Sequence, residues 1–213
     1  MALHAGCPWC TTPVTRTDEG RWACPTHGRV TPLWRPQEAA YDALVAHLER
    51  AGSFPTYLPW PLGPGWWVSD FAVVGDGEAH ATMACVSGSS ALDGPVDVMV
   101  ISEEPTGGLA ARVIGLAEGE STDFRAAVVT EPAEVKVRVG SHAVGLWPYP
   151  VGDAHQEQDR TVLLGEAEGR WLWLVLRPAS ALLLLRDEWI LRDVSSAGPQ
   201  LVELPFGGPA GAW

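Results

Sequence analysis

The sequence predicts an α+β protein, and three observations lead there. Cys7, Cys10, Cys24 and His27 fall in two short pairs within the first 35 residues. Residues 36–50 carry one helical apolar stripe. From Trp67 onward, apolar runs of strand length are separated by glycines and polar turns. The expected organisation is a small N-terminal module over 1–35, and a connecting helix with a Pro/Trp-rich strap over 36–65. A mainly antiparallel β-sheet domain with one or two helices on one face follows over 66–207, then a flexible tail over 208–213.

The first element is the C-x2-C-x13-C-x2-H pattern of Cys7, Cys10, Cys24 and His27. Tetrahedral zinc takes four soft or borderline ligands, and each short pair supplies two of them from one tight turn. The intervening TTPVTRTDEGRWA carries a polar turn at Thr17–Gly20 flanked by β-prone residues, which predicts a hairpin that brings the pairs together. The zinc expected here is structural, because protein atoms fill all four positions. A module of 35 residues builds too small a core to fold by itself, so metal binding would supply its folding free energy. Two other readings remain open. CPWC looks like a glutaredoxin active site, although only six residues precede Cys7 and Pro13 with a charged turn follows Cys10. A disulfide leaves His27 unexplained and needs an oxidising compartment.

Residues 36–50 follow as the connecting helix, with Pro36 in a first-turn position and Tyr41, Leu44, Val45 and Leu48 as the stripe. The strap SFPTYLPWPLGPGWW then rules out regular helix and central strand through Pro55, Pro59, Pro61 and Pro64. Its Trp60, Trp66 and Trp67 are the candidate partner or ligand surface, against the alternative of a rigid cover over a sheet edge.

In the body, AEVKVRV alternates as a half-buried strand, and VDVMVIS is apolar enough for a central one. TVLLGEA and RWLWLVLR flank the short Glu168-Gly169 loop of a hairpin. Period two places Leu172, Leu174 and Leu176 on one face and Trp171, Trp173 and Val175 on the other, so both faces are expected to be covered. GGLAARVIG is the helix expected inside the body.

The charge of −12 disfavours non-specific nucleic-acid binding by the whole chain. Residues 1–35 nonetheless carry four arginines against Asp18 and Glu19, a net of +2. Arg16, Arg21 and Arg29 are therefore the candidate phosphate contacts, with Trp22 placed to stack. Phosphate loops, GxSxG and HExxH are absent. Cys85 reads as a core thiol, with His80 on the opposite face of the same strand, and His142 and His155 as surface histidines. Glu103-Glu104 and Asp187-Glu188 are expected to be solvated. No catalytic residue is assigned, and the reading leans away from an enzyme. The N-terminal MALHAG has neither a basic nor an apolar signal region, and apolar runs fall short of a membrane span. The expectation is a cytoplasmic protein without a membrane partner.

Four stretches together carry a resemblance: CPWC with WACPTHGRVTPL, LPWPLGPGWWVS, LLGEAEGRWLWLVLRP, and DEWILRDVSSAGPQLVELPFG. From Cys7 to Gly207 the chain resembles an uncharacterised actinobacterial family, a domain of unknown function headed by a zinc ribbon. One lysine and no asparagine suit a GC-rich source. The resemblance implies Cys7, Cys10, Cys24 and His27 as ribbon ligands and implies no activity. The function expected is that of an adaptor or regulator acting through a protein partner. The alternatives are a ribbon contacting nucleic acid or transcription machinery, and a small-molecule binder or enzyme with a groove near the strap.

Overall fold

A computed structural model describes residues 3–105, 108–116, 132–150, 159–186, 189–208 and 213. The chain starts with β1 (His4–Gly6), β2 (Thr15–Arg16), β3 (Trp22–Cys24), β4 (Gly28–Arg29) and β5 (Leu33–Arg35). Strands β2, β3 and β4 form a separate three-stranded antiparallel sheet. Strands β1 and β5 pair with each other and flank that small sheet in sequence. β5 also pairs with β7 (Trp67–Asp76), so the cysteine segment is rooted in the edge of the main sheet.

Helix α1 runs over Tyr41–Ala51, which shortens the expected helix at its start. Ala40 is extended, and Gln37 and Glu38 are exposed. The buried face is Ala43, Leu44, His47 and Ala51, rotated from the expected stripe, and Tyr41 is exposed. Asp42 in the first turn and Arg50 in the last complement the helix dipole. The Gly52 amide closes the helix on the Leu48 carbonyl.

The rest of the main sheet comprises β6 (Tyr57–Pro59), β8 (Glu78–Ser90), β9 (Gly94–Glu103), β10 (Val135–Val139), β11 (His142–Pro148), β12 (Thr161–Ala167), β13 (Arg170–Arg177) and β14 (Trp189–Asp193). Its order is β1-β5-β7-β8-β9-β13-β12-β11-β10-β14-β6. Neighbours are antiparallel except β10 with β14, which run parallel. The proline-bearing β6 takes an edge position, where a missing amide costs no ladder bond.

Both faces of the central strands are covered. Leu172, Leu174 and Leu176 of β13 join one buried cluster with Phe71, Val98 and Val100. Trp171, Trp173 and Val175 join the other with Met83, Met99 and Ile101. The sheet curls so that β6, β10 and β14 contribute Leu58, Val137 and Leu191 to the first cluster. The Thr82 hydroxyl of β8 donates to the Pro55 carbonyl at 2.5 Å across that curl.

The second cluster is closed by α2 (Leu109–Val113), through Leu109, Ala110 and Val113. α1, from the connecting segment, packs into the first cluster, on the face opposite α2. Short 3₁₀ segments over Ala179–Arg186, Val194–Ser196 and Gly198–Glu203 cover the first face. Beyond them Pro205–Gly207 runs along β7, with Val68 donating to the Pro205 carbonyl. The sequence predicts a flexible tail over 208–213. Of these, Gly208 and Trp213 are described, and the Trp213 indole donates to Asp70 at 2.9 Å.

Candidate metal centre

The first pair sits in the turn between β1 and β2. The Cys7 amide donates to the Thr12 carbonyl at 3.1 Å, and Gly6 bridges to Pro13, which closes a tight loop around Cys10. The second pair spans the turn from β3 to β4, with Cys24 ending β3 and His27 just before β4. Its chain reverses through Gly28 at φ 67, a left-handed conformation that favours glycine directly after His27.

These two turns bring the four ligand atoms within 4.8 Å of one another. His27 Nδ1 lies 3.4 Å from Cys7 Sγ and 3.5 Å from Cys24 Sγ. Cys10 Sγ lies 3.7 Å from Cys24 Sγ, and none of the three cysteines is in a disulfide. A tetrahedral ion with the usual bond lengths sets sulfur–sulfur edges of about 3.8 Å and sulfur–nitrogen edges of about 3.6 Å. The residues therefore fit a metal ion, and three cysteines with one histidine form a group that could hold one.

The backbone prepares the sulfurs to carry charge. Burial opposes the Cys24 thiolate, but amides of His27 and Thr26 point at its sulfur and lower its pKa to about 7. Burial likewise works against the Cys10 thiolate, and Thr12 outweighs it through hydroxyl and amide, so that pKa is lowered too. For Cys7 burial prevails and pushes the thiol up to about 11, despite the Trp9 amide 3.4 Å from its sulfur.

Two residues of the body hold the first turn from outside, and the sequence alone gave no sign of either. Arg112 of α2 donates to the carbonyls of Cys7 and Cys10. The Trp9 ring packs on Gly108, where an added Cβ would lie 2.5 Å from the indole. Arg112 also lies 5.1 Å from the Trp213 ring and Arg35 lies 4.3 Å from it, both cation–π arrangements. Asp70 is buried and pairs with Arg35 at 2.5 Å. Burial raises the Asp70 pKa, with Arg35 and Trp213 pulling the other way.

The other expected site residues separate. Arg21 and Arg29 line a cleft of about 390 Å³ with Trp22, Asp76 and His80. Arg16 stacks over the Trp22 ring at 5.3 Å, Arg21 pairs with Glu19, and the Trp22 indole donates to Asp76. Trp60 and Trp66 line an apolar groove of about 510 Å³ with Trp189 and Ile190. Trp67 does not line it and is 41% exposed.

Cys85 is buried in the second cluster, and burial pushes its thiol up to about 12. His142 is exposed, and His80 pairs with Glu104 at 2.9 Å. Glu103 is not solvated as expected. It is 5% exposed, accepts the Ala110 amide at 3.1 Å, and has its pKa raised to about 7 by burial. Strand parity carries the missing signal: Glu103 shares the buried face of Met99 and Ile101. His155, Asp187 and Glu188 lie outside the described residues.

The chain belongs to a family of unknown function (DUF6758), whose model matches residues 1–212. No curated protein and no solved structure matches it. Among the described residues, no helix is long and apolar enough to cross a membrane.

Proposed function

We propose that this member of the family is a non-enzymatic zinc-ribbon protein, an adaptor or regulator that acts through contacts with another protein. The observation that carries the reading is the ligand geometry, with three sulfurs and one imidazole nitrogen all within 4.8 Å of one another and three of their separations at 3.4–3.7 Å. Thiolate and imidazole ligands in that arrangement suit zinc. Zinc held by Cys7, Cys10, Cys24 and His27 keeps no open position for an activated water, so its contribution is to the fold. The ribbon then spans residues 1–35, and the helix and strap connect it to the body.

The contact role is supported by the aromatic surface of the strap. Trp60 and Trp66 line the apolar groove, Ile190 on its rim is 45% exposed, and Trp67 stands 41% exposed in the neighbouring chain. Buried aromatic anchors dominate the energetics of protein interfaces. The test is affinity capture from native cells with wild-type, Cys7→Ser and Trp66→Ala baits. The reading expects a protein that wild type retains and at least one variant loses. Capture that is identical for all three baits contradicts it.

One observation favours a second reading. Arg21, Arg29 and Trp22 share one cleft, so a phosphate and a stacked base would find complementary groups there. The charge of −12 opposes it. Binding of single- or double-stranded oligonucleotides at about 50 mM salt would support this reading, and no binding there ends its direct form.

A further inference from the structure

We infer that Arg112 is the counter-charge of the metal centre, and that it links metal occupancy to the docking of Trp213 on the body. The inference rests on the zinc reading above. A divalent ion with three thiolates and one neutral imidazole carries a net charge of −1. Arg112 lies on the body side of the first turn and donates to the carbonyls of both Cys7 and Cys10. Its guanidinium thus meets the centre through the backbone of two ligand residues, where partial negative charge already accumulates.

The same guanidinium belongs to a second group of charges. Arg112 and Arg35 both lie against the Trp213 ring, at 5.1 and 4.3 Å from its centroid. Two cations around one indole are a like-charge pair in a partly desolvated place. Asp70, 2% exposed, balances one of them through its 2.5 Å contact with Arg35 and also accepts the Trp213 indole N–H at 2.9 Å. The second cation finds its balance in the metal centre. With zinc bound, Arg112 faces a thiolate cluster of charge −1 through the two carbonyls that hold it. With zinc removed, the Cys7–Cys10 turn loses the ion that fixes its two sulfurs, and the two carbonyls that hold Arg112 lose their fixed spacing. Arg112 is then released from the first turn, which takes one cation–π face from Trp213. Linkage then requires the converse: the docked Trp213 strengthens zinc binding by the factor with which zinc strengthens docking.

Two measurements on the full-length chain test this. The first is competition between protein and a chromophoric chelator for zinc, in wild type, Arg112→Gln, Arg112→Lys and Trp213→Phe. Arg112→Gln is expected to weaken zinc binding roughly tenfold, Arg112→Lys to recover part of that loss, and Trp213→Phe to weaken it by a smaller factor. The second is the ¹⁹F spectrum of 5-fluorotryptophan protein, with the Trp213 line assigned through Trp213→Phe. That line is expected to move when zinc is stripped from wild type and to return when zinc is restored. In Arg112→Gln it should sit at the stripped position even with zinc bound. Using stripped and reloaded wild type keeps the second test independent of whether any variant folds. Wild type that binds zinc, with Arg112→Gln matching it in competition and a Trp213 line that ignores zinc, overturns this inference alone. Wild type that binds no zinc overturns the zinc reading and this inference together.

Discussion

The indole of Trp9 occupies the space that a side chain at Gly108 would need, with 2.5 Å separating its Cη2 from an ideal Cβ there. Trp9 lies inside the CPWC turn, and Gly108 directly precedes α2. The contact therefore fixes the Cys7–Cys10 turn against the body. Gly108 also has φ 73, so its backbone favours glycine independently of Trp9.

Gly108→Ala is expected to destabilise the protein by about 2–4 kcal/mol, combining the left-handed backbone cost with displacement of the ring. Trp9→Ala in the same chain should return the steric part and leave the backbone part. A double-mutant cycle by chemical denaturation measures this, and strictly additive effects would show that ring and glycine do not compete for space.

Cys24→Ser is expected to remove the metal and loosen the chain locally. Hydrogen exchange should accelerate at least about tenfold over His4–Arg35 and over Leu109–Val113, and change little in β8, β9 and β13. The reason is that β1 and β5 lie at the end of the sheet while the central strands are covered on both faces. Uniform exchange changes across all strands would contradict this division.

Much of this arrangement was legible in sequence because it is local. The spacing of Cys7, Cys10, Cys24 and His27 is set by turns, and the two faces of β13 by period two. The rest depends on contacts between distant residues. Nothing near Arg112 in sequence indicates that it meets Cys7 and Cys10, and nothing near Asp70 indicates Arg35 and Trp213. The pairing of β14 with both β10 and β6 follows from the curl of the sheet, which no local pattern encodes. The apolar stripe of α1 is centred one step away from the face that packs, so periodicity alone does not point to His47.

His47 gives the first of two opposed pH dependences. It is fully buried, bonded to Thr56 at 2.9 Å, and burial lowers its pKa from 6.5 to about 3. The unfolded chain binds the extra proton between those values, so this contribution is complete above pH 6.5 and is lost as pH falls towards 3. The loss is on the order of 5 kcal/mol. His47→Leu should flatten that part of the profile relative to wild type, as measured by denaturation at a series of pH values. An unchanged slope would show that His47 does not titrate as its burial requires.

Glu103 acts in the opposite sense. Burial raises its pKa from 4.5 to about 7, so the folded chain holds the extra proton between those values. Its stabilising contribution is present below pH 4.5 and is lost as pH rises through 7, by on the order of 3 kcal/mol. Glu103→Gln should remove this fall on the same denaturation series. A variant that keeps the full wild-type fall between pH 4.5 and 7 would assign it to another group.

The most direct test of the central claim is zinc-edge X-ray absorption on protein purified without added metal, with metal content quantified on the same sample. The account predicts one zinc per chain, with three sulfurs at about 2.3 Å, one nitrogen at about 2.0 Å and no further ligand. A metal-free protein, or a shell with fewer sulfurs completed by oxygen, would contradict the assignment of Cys7, Cys10, Cys24 and His27 as a closed structural centre.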